Sequence, residues 1–262
     1  MTTYLDEILA VHRAAAAADR RPLDDLIADA RAAAPARGFA AALRAGSVDG
    51  LAVIAEFKRR SPSKGDLAPD LDPAATAAEY AAGGATCLSV LTDADHFGGS
   101  VTDLRAARAA VAIPVLRKDF TVGPRDVCDA RTMGADAVLL IVAALDDAEL
   151  GDLHALAIEV GLDVLVEVHD EPELERAVAA GATVIGVNQR DLVTFEVDHD
   201  RAVRVGAAMP EGILRVAESG IRGPDDAAAL AAAGFHAVLV GESVVTAGDR
   251  AASVAALRRA GQ

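Results

Sequence analysis

One pattern recurs four times in this chain and constrains its fold more than anything else. An Ala-rich amphipathic stretch ends in glycine, and a short apolar run starts two or three residues later. The copies read "GGATCLSVL" from Gly83, "MGADAVLLIV" from Met133, "AGATVIGVN" from Ala180 and "AGFHAVLVG" from Ala233, at a spacing near 50 residues. Glycine suits the left-handed turn that closes a helix. A recurring helix–glycine–strand unit is the trace of a repeated β/α layout. The runs are apolar throughout rather than alternating, as in parallel strands covered by helices on both faces.

Filling in between the copies gives strands at 51–57, 87–91, 114–118, 137–142, 163–168, 183–188, 214–219 and 237–241. Helices are predicted at 73–82, 101–110, 124–133, 146–160, 172–180, 199–207, 224–233 and 249–259. Eight such units fit a closed (β/α)₈ TIM barrel. A doubly wound open sheet is the alternative, but its Gly-x-Gly-x-x-Gly loop is missing after the first strand. Residues 1–50 carry no strand pattern and read as a helical extension broken at Pro22 and Pro35. The expectation is one domain over 1–262, with the extension at 1–50 and the eight units at 51–262.

The formal net charge of −15 argues against a nucleic-acid partner, and no Lys/Arg run with interleaved aromatics is present. No apolar stretch reaches the roughly 20 residues of a membrane helix, and the N-terminus lacks a signal-peptide layout. Cys87 and Cys128 have no metal or redox spacing, which points to reduced thiols and a cytoplasmic protein. The six histidines are scattered and give no metal motif. With no uncovered apolar element in view, a monomer is expected.

In a barrel, strand C-termini and the loops after them form the active face. Here those ends are rich in charge: Glu56 and Lys58, Lys118 and Asp119, Glu167 and His169, Arg190 beside Asn188, and Glu218 beside Ser219. Glu56 and Lys58, two apart, share one side of their strand. A solvated rim would account for one such pair; Glu56, Lys58, Lys118, Glu167 and Glu218 together, from four strands, are harder to explain that way. Only three of the 25 Lys+Arg residues are lysines. Two of them, Lys58 and Lys118, end strands, and Lys64 lies in the first βα loop. Lysine, unlike arginine, can exchange its proton once its environment tunes it. Gly220 and Gly241, after the seventh and eighth strands, stand where barrels commonly bind phosphate. Singly each could be only a turn; together they favour an anion.

With these residues placed, the chain resembles the indole-3-glycerol phosphate synthase family. The resemblance covers nearly the whole sequence, through "APARGFAAALR", "VIAEFKRRSPSKG", "LSVLTDADHFGGS", "IPVLRKDF", "GADAVLLIVAAL", "LVEVHDEPELERA", "IGVNQRDL", "VAESGI" and "VLVGES". It implies a single (β/α)₈ barrel without metal or organic cofactor, whose N-terminal helices help cover the active mouth. The implied substrate is a small phosphorylated one, 1-(2-carboxyphenylamino)-1-deoxyribulose 5-phosphate. It further implies Lys118 as general acid for ring closure, Lys58 as an anion-binding group and second acid, and Glu167 as general base. Glu56, Asn188, Glu218 and Ser219 would orient the substrate, and Phe97 and Phe120 would line its aromatic pocket. Ser61, Gly220, Gly241 and Glu242 would meet the phosphate, and Arg190 the carboxylate.

The chain departs from the family pattern in three places. Arg125 and Asp126 replace a common Tyr-Gln pair, Gln189 replaces Asn or Ala, and Glu242 stands where some members have serine. Glu242 is expected to turn its carboxylate away from the phosphate. Other phosphate-binding barrels, such as phosphoribosylanthranilate isomerase or the tryptophan synthase α subunit, lack this pair of lysines. A catalytically silent paralogue would be expected to lose Lys58, Lys118 or Glu167, and all three are present.

Overall fold

Eight parallel strands close on themselves in sequence order: β1 (Ala52–Phe57), β2 (Cys87–Leu91), β3 (Val115–Lys118), β4 (Ala137–Ile141), β5 (Asp163–Val168), β6 (Val184–Asn188), β7 (Leu214–Glu218) and β8 (Ala237–Val240). Pairing of Ala52–Ala55 with Ala237–Val240 seals the barrel. This computed structural model describes residues 3–62, 64–191 and 196–261. Ser63 of the first βα loop and Leu192 of the "IGVNQRDL" segment lie outside the described residues.

The outer helices are α4 (Pro73–Ala82), α5 (Val101–Ala110), α6 (Pro124–Met133), α7 (Asp147–Glu159), α8 (Glu171–Ala179), α9 (His199–Ala208), α10 (Pro224–Ala232) and α12 (Arg250–Arg259). Their starts are written in the sequence. Proline opens α4, α6 and α10, where its missing N–H costs nothing. Asp72, Ser100, Asp146, Asp170, Asp198 and Asp249 cap free backbone N–H groups. The four recurrent glycines, Gly84, Gly134, Gly181 and Gly234, all take positive φ, between 84° and 102°, a region costly for any residue with a Cβ.

Strand and helix limits agree with the sequence expectation to within one or two residues. Three short elements were not anticipated: a hairpin of Arg60–Ser61 against Gly65–Asp66, a 3₁₀ turn at Val142–Ala144, and α11 (Glu242–Val245).

The N-terminal extension forms α1 (Tyr4–Ala18), α2 (Leu23–Ala32) and α3 (Phe39–Gly46). Among the described residues only α1 lies at the mouth, where Tyr4, Leu5 and Ile8 face the cavity. The expectation that the N-terminal helices cover the mouth is therefore narrowed. The segment leading into α3 closes the opposite end: backbone N–H groups of Arg37 and Ala40 donate to Asp136 and Asp163, at the starts of β4 and β5, both at 2.9 Å. Phe39 and Leu43 are fully buried there.

Candidate active site

The mouth holds a cavity of about 580 Å³, and every strand-end and loop residue singled out from the sequence as a site candidate lines it. All three lysines of the chain face it, although they come from two strands and a loop. Parallel register explains the convergence. Glu56 pairs with Ser89, Ile141 with Glu167, Glu167 with Gly186, and Asn188 with Glu218, so the acids sit near one level of the barrel.

The charges form one network. Lys58 Nζ donates to Glu56 Oε1 at 2.7 Å, and Ser89 Oγ to the other Glu56 oxygen at 3.3 Å. Lys118 Nζ donates to Glu167 Oε2 at 3.1 Å and lies 3.7 Å from Glu218 Oε2. Asn188 Nδ2 donates to Glu167 Oε1 at 3.0 Å. All three carboxyl groups are buried. Burial pushes the Glu56 and Glu167 carboxyls up, but the lysines outweigh it; with Asn188 and His169 also acting on Glu167, both stay below the usual carboxylate range. Glu218 has the opposite balance. Burial and the neighbouring Glu167 carboxylate push it up to about 8.

Burial by itself would lower the Lys118 pKa. Glu167, Glu218 and Glu56 together raise it above the ordinary lysine value instead. The environment thus holds Lys118 protonated rather than tuning it toward neutrality. Two carboxyls of different protonation flank a cation that carries a transferable proton, an arrangement suited to acid–base chemistry.

One side of the cavity is apolar. The Phe97 and Phe120 rings lie 6.2 Å apart and tilted by 38°. Above them α1 is held down by His12, whose Nε2 is 3.0 Å from Asp93 and 3.8 Å from Asp119, and whose ring lies 5.3 Å from that of Phe120. His12, Asp93 and Asp119 bring three possible metal-ligand atoms within 4.8 Å of one another. The nearest contacts within the group are their own ion pairs, so it acts as a clasp between α1 and the loops after β2 and β3.

The loops after β1, β7 and β8 also line the cavity. Gly220, at φ 72°, and Gly241 reach the cavity with their backbone. Ser61 is buried, and its hydroxyl has no hydrogen-bond partner among the described residues. Ser219 sits in the left-handed region at φ 65°, unusual for a residue with a Cβ. Gln189 braces it, donating from Nε2 to the Ser219 carbonyl at 2.8 Å. The Gln189 departure thus has a structural task at the mouth. Glu242 carries its carboxylate in solvent, 3.8 Å from Lys64 Nζ, which offsets its charge. Lys64, in the first βα loop, faces that acid.

The Arg125–Asp126 departure is also local. Asp126 accepts from the backbone N–H groups of Val122 and Gly123 at 3.0 and 2.9 Å, capping α6. Arg125 Nε donates to the Arg21 carbonyl at 2.9 Å and lies 3.8 Å from Asp19, tying α6 to the α1–α2 connection.

Sequence reasoning missed the supporting role of two positions. A Cβ on Gly186 would lie 2.0 Å from Glu218 Oε1, so glycine there gives the acid its space. His169 stands behind Glu167, its Nε2 3.7 Å from Glu167 Oε1. The glycine interrupting an otherwise apolar β6 run was the available signal for the first. The second needed the α8 contact that only the folded chain shows.

Comparison with known proteins places this geometry. The family model described as indole-3-glycerol phosphate synthase matches residues 5–257. The Streptomyces coelicolor protein named indole-3-glycerol phosphate synthase 1 is 54% identical over 262 residues, covering 99% of this chain and 96% of its own. The Mycobacterium ulcerans indole-3-glycerol phosphate synthase is 51% identical over 261 residues, covering 99% and 95%. A thiamine phosphate pyrophosphorylase structure from Pyrococcus furiosus superposes with a TM-score of 0.61 at 19% identity, covering 81% of this chain and 96% of its own, and shares the fold alone. The chain belongs to the indole-3-glycerol phosphate synthase family.

Proposed function

We propose that the chain closes the pyrrole ring of indole-3-glycerol phosphate, converting 1-(2-carboxyphenylamino)-1-deoxyribulose 5-phosphate to that product, carbon dioxide and water. The observation that carries this reading is Lys118, protonated and set between Glu167 and Glu218 inside the barrel mouth. In the first step the ring carbon bearing the carboxylate attacks the ribulose carbonyl. Lys118 gives its proton to the carbonyl oxygen as the carbon–carbon bond forms. Loss of the carboxylate as carbon dioxide returns the electron pair to the ring. The new hydroxyl then leaves as water with a proton from Lys58, Glu167 takes the proton from the neighbouring nitrogen, and transfer of one proton from the adjacent methylene carbon to that nitrogen completes the indole.

The other candidates divide the substrate between them. Phe97 and Phe120 supply the apolar side for the anthranilate ring, and Arg190 reaches its carboxylate. Ser61 and the backbone at Gly220, Gly241 and Glu242 receive the phosphate. Glu56, Asn188 and Ser219 orient the reacting centre. Neutral Glu218 offers a proton for hydrogen bonding beside ionised Glu167.

The same reading takes residues 1–262 as one domain. It needs no metal or organic cofactor and describes a monomer acting in tryptophan biosynthesis in the cytoplasm. Incubating the purified chain with the carboxyphenylamino substrate and following indole fluorescence tests it. Turnover is expected, and its absence overturns the assignment.

A further inference from the structure

We propose that His169, held by Glu173, is a positioning residue that orients the Glu167 carboxylate and keeps it ionised. The inference rests on Glu167 being the base of the proposed reaction. His169 follows β5 directly, and Glu173 lies in the first turn of α8. One carboxylate oxygen, Glu173 Oε2, accepts the His169 backbone N–H at 2.8 Å and lies 3.0 Å from His169 Nδ1. Glu173 is itself fixed, because its backbone N–H donates to the α8 cap Asp170 at 2.9 Å. The imidazole is therefore locked by groups of its own loop and helix, and its other nitrogen points inward.

That nitrogen, Nε2, is buried and has no hydrogen-bond partner among the described residues. It lies 3.7 Å from Glu167 Oε1, the oxygen that also accepts from Asn188. With Nδ1 turned to an anion, a neutral ring would carry its proton there and aim a bare lone pair at the Glu167 carboxylate. A protonated ring places an N–H donor between two carboxylates, which is the favourable arrangement. The charged groups acting on the ring are Glu167 on β5, Glu173 on α8 and Arg201 on α9. Arg201 opposes protonation, but it is engaged with Asp191 at 3.6 Å and Asp198 at 3.9 Å. The two acids prevail over burial and over Arg201, and the His169 pKa is raised.

His169 does not line the cavity, so it acts on substrate only through Glu167. When Glu167 takes a proton from the substrate nitrogen, one of the two anions supporting the imidazolium is lost. His169 and Glu167 thus titrate as a linked pair.

The test compares His169→Gln and Glu173→Gln with the unmodified chain in the indole-fluorescence assay across pH. For His169→Gln the expected result is a kcat lower by about 10-fold, less than the roughly 10²–10⁴-fold value of a general base. KM should change little, and the acidic limb of the kcat profile should move to higher pH. Glu173→Gln should move the limb the same way by a smaller amount. A second readout does not depend on turnover: the His169 imidazole titration, followed by NMR, should shift to lower pH in Glu167→Gln. An unmodified chain without turnover would sink the assignment of the reaction. An active unmodified chain, with both the acidic limb and the His169 titration unmoved in the variants, would overturn this inference alone.

Discussion

Gly186 and Glu218 share one space: a Cβ on the glycine would fall 2.0 Å from the acid's Oε1 and 3.3 Å from Leu165 Cδ1. The acid cannot keep its place beside Lys118 if β6 carries any side chain at that level. Gly186→Ala should therefore displace the Glu218 carboxylate and lower kcat by about 10²-fold, the scale of a 1 Å error in a reacting group. Steady-state kinetics on the variant checks it. In a Glu218→Ala background the clash is gone, and the same glycine change should then cost less than about 3-fold, a double-mutant coupling that general loss of fold would not produce.

Glu218 makes stability depend on pH in an unusual direction. Its carboxyl moves from 4.5 in the unfolded chain to about 8 in the fold. Between those values the folded state binds a proton that the unfolded state has released, so this contribution is present at low pH and declines as pH rises toward 8. Glu56 and Glu167, held below the usual value, act oppositely and lose their contribution in acid. Glu218→Gln removes the first effect alone. Urea midpoints should show the variant more stable at pH 8, by about 1–3 kcal/mol on the scale of a buried polar group without full partners, with a smaller gain at pH 5. Activity should fall, the usual exchange where a site is built from strained charge.

The barrel was legible because its cues are local and repeated. Capping aspartates, opening prolines and four positive-φ glycines mark helix limits with short-range physics, and apolar runs mark the strands between them. The strand-end acids and lysines were legible for the same reason: alternation along β1 settles which side Glu56 and Lys58 share. What escaped prediction depends on contacts between elements far apart in sequence. Nothing near Lys118 announces that three acids from three other strands would raise its pKa, whereas burial alone suggested the reverse. Nothing in the sequence around Gln189 marks its amide as the brace of the Ser219 carbonyl, 30 residues later. The extension's split, with α1 above the mouth and α3 beneath the opposite end, depends on Asp93, Asp136 and Asp163, which come 81, 99 and 123 residues after the groups they hold and are not marked as their partners.

The His12–Asp93 contact predicts a pH-dependent clasp on α1. Hydrogen bonding to Asp93 outweighs burial and raises the His12 pKa above 6.5. Its stabilising contribution is therefore complete below pH 6.5 and is lost as pH rises through the higher folded value. His12→Ala should lower stability by about 1.5 kcal/mol at pH 6, the scale of a charge-assisted hydrogen bond, and by clearly less at pH 9. Because Tyr4, Leu5 and Ile8 of the same helix face the cavity, KM should rise more than kcat falls. Denaturant titrations at the two pH values, with steady-state kinetics, test both parts; equal penalties at pH 6 and pH 9 would exclude a charged clasp.

Lys118 distinguishes proton donation from charge alone. Lys118→Ala should lower kcat by about 10²–10⁴-fold, the range for a general acid. Lys118→Arg keeps a cation near Glu167 and Glu218, but guanidinium does not release its proton in this pH range. If the lysine served only to balance the carboxylates, the arginine variant would retain most of the activity. If it donates a proton to the closing ring, arginine should recover substrate binding but little kcat. Lys64→Ala supplies the comparison: its ammonium lies 3.8 Å from exposed Glu242, an ion pair worth little at a surface, so its loss should change kcat far less than either Lys118 variant. Single-turnover rates for the three variants would separate the outcomes, and full activity in Lys118→Ala would remove the acid from the proposed mechanism.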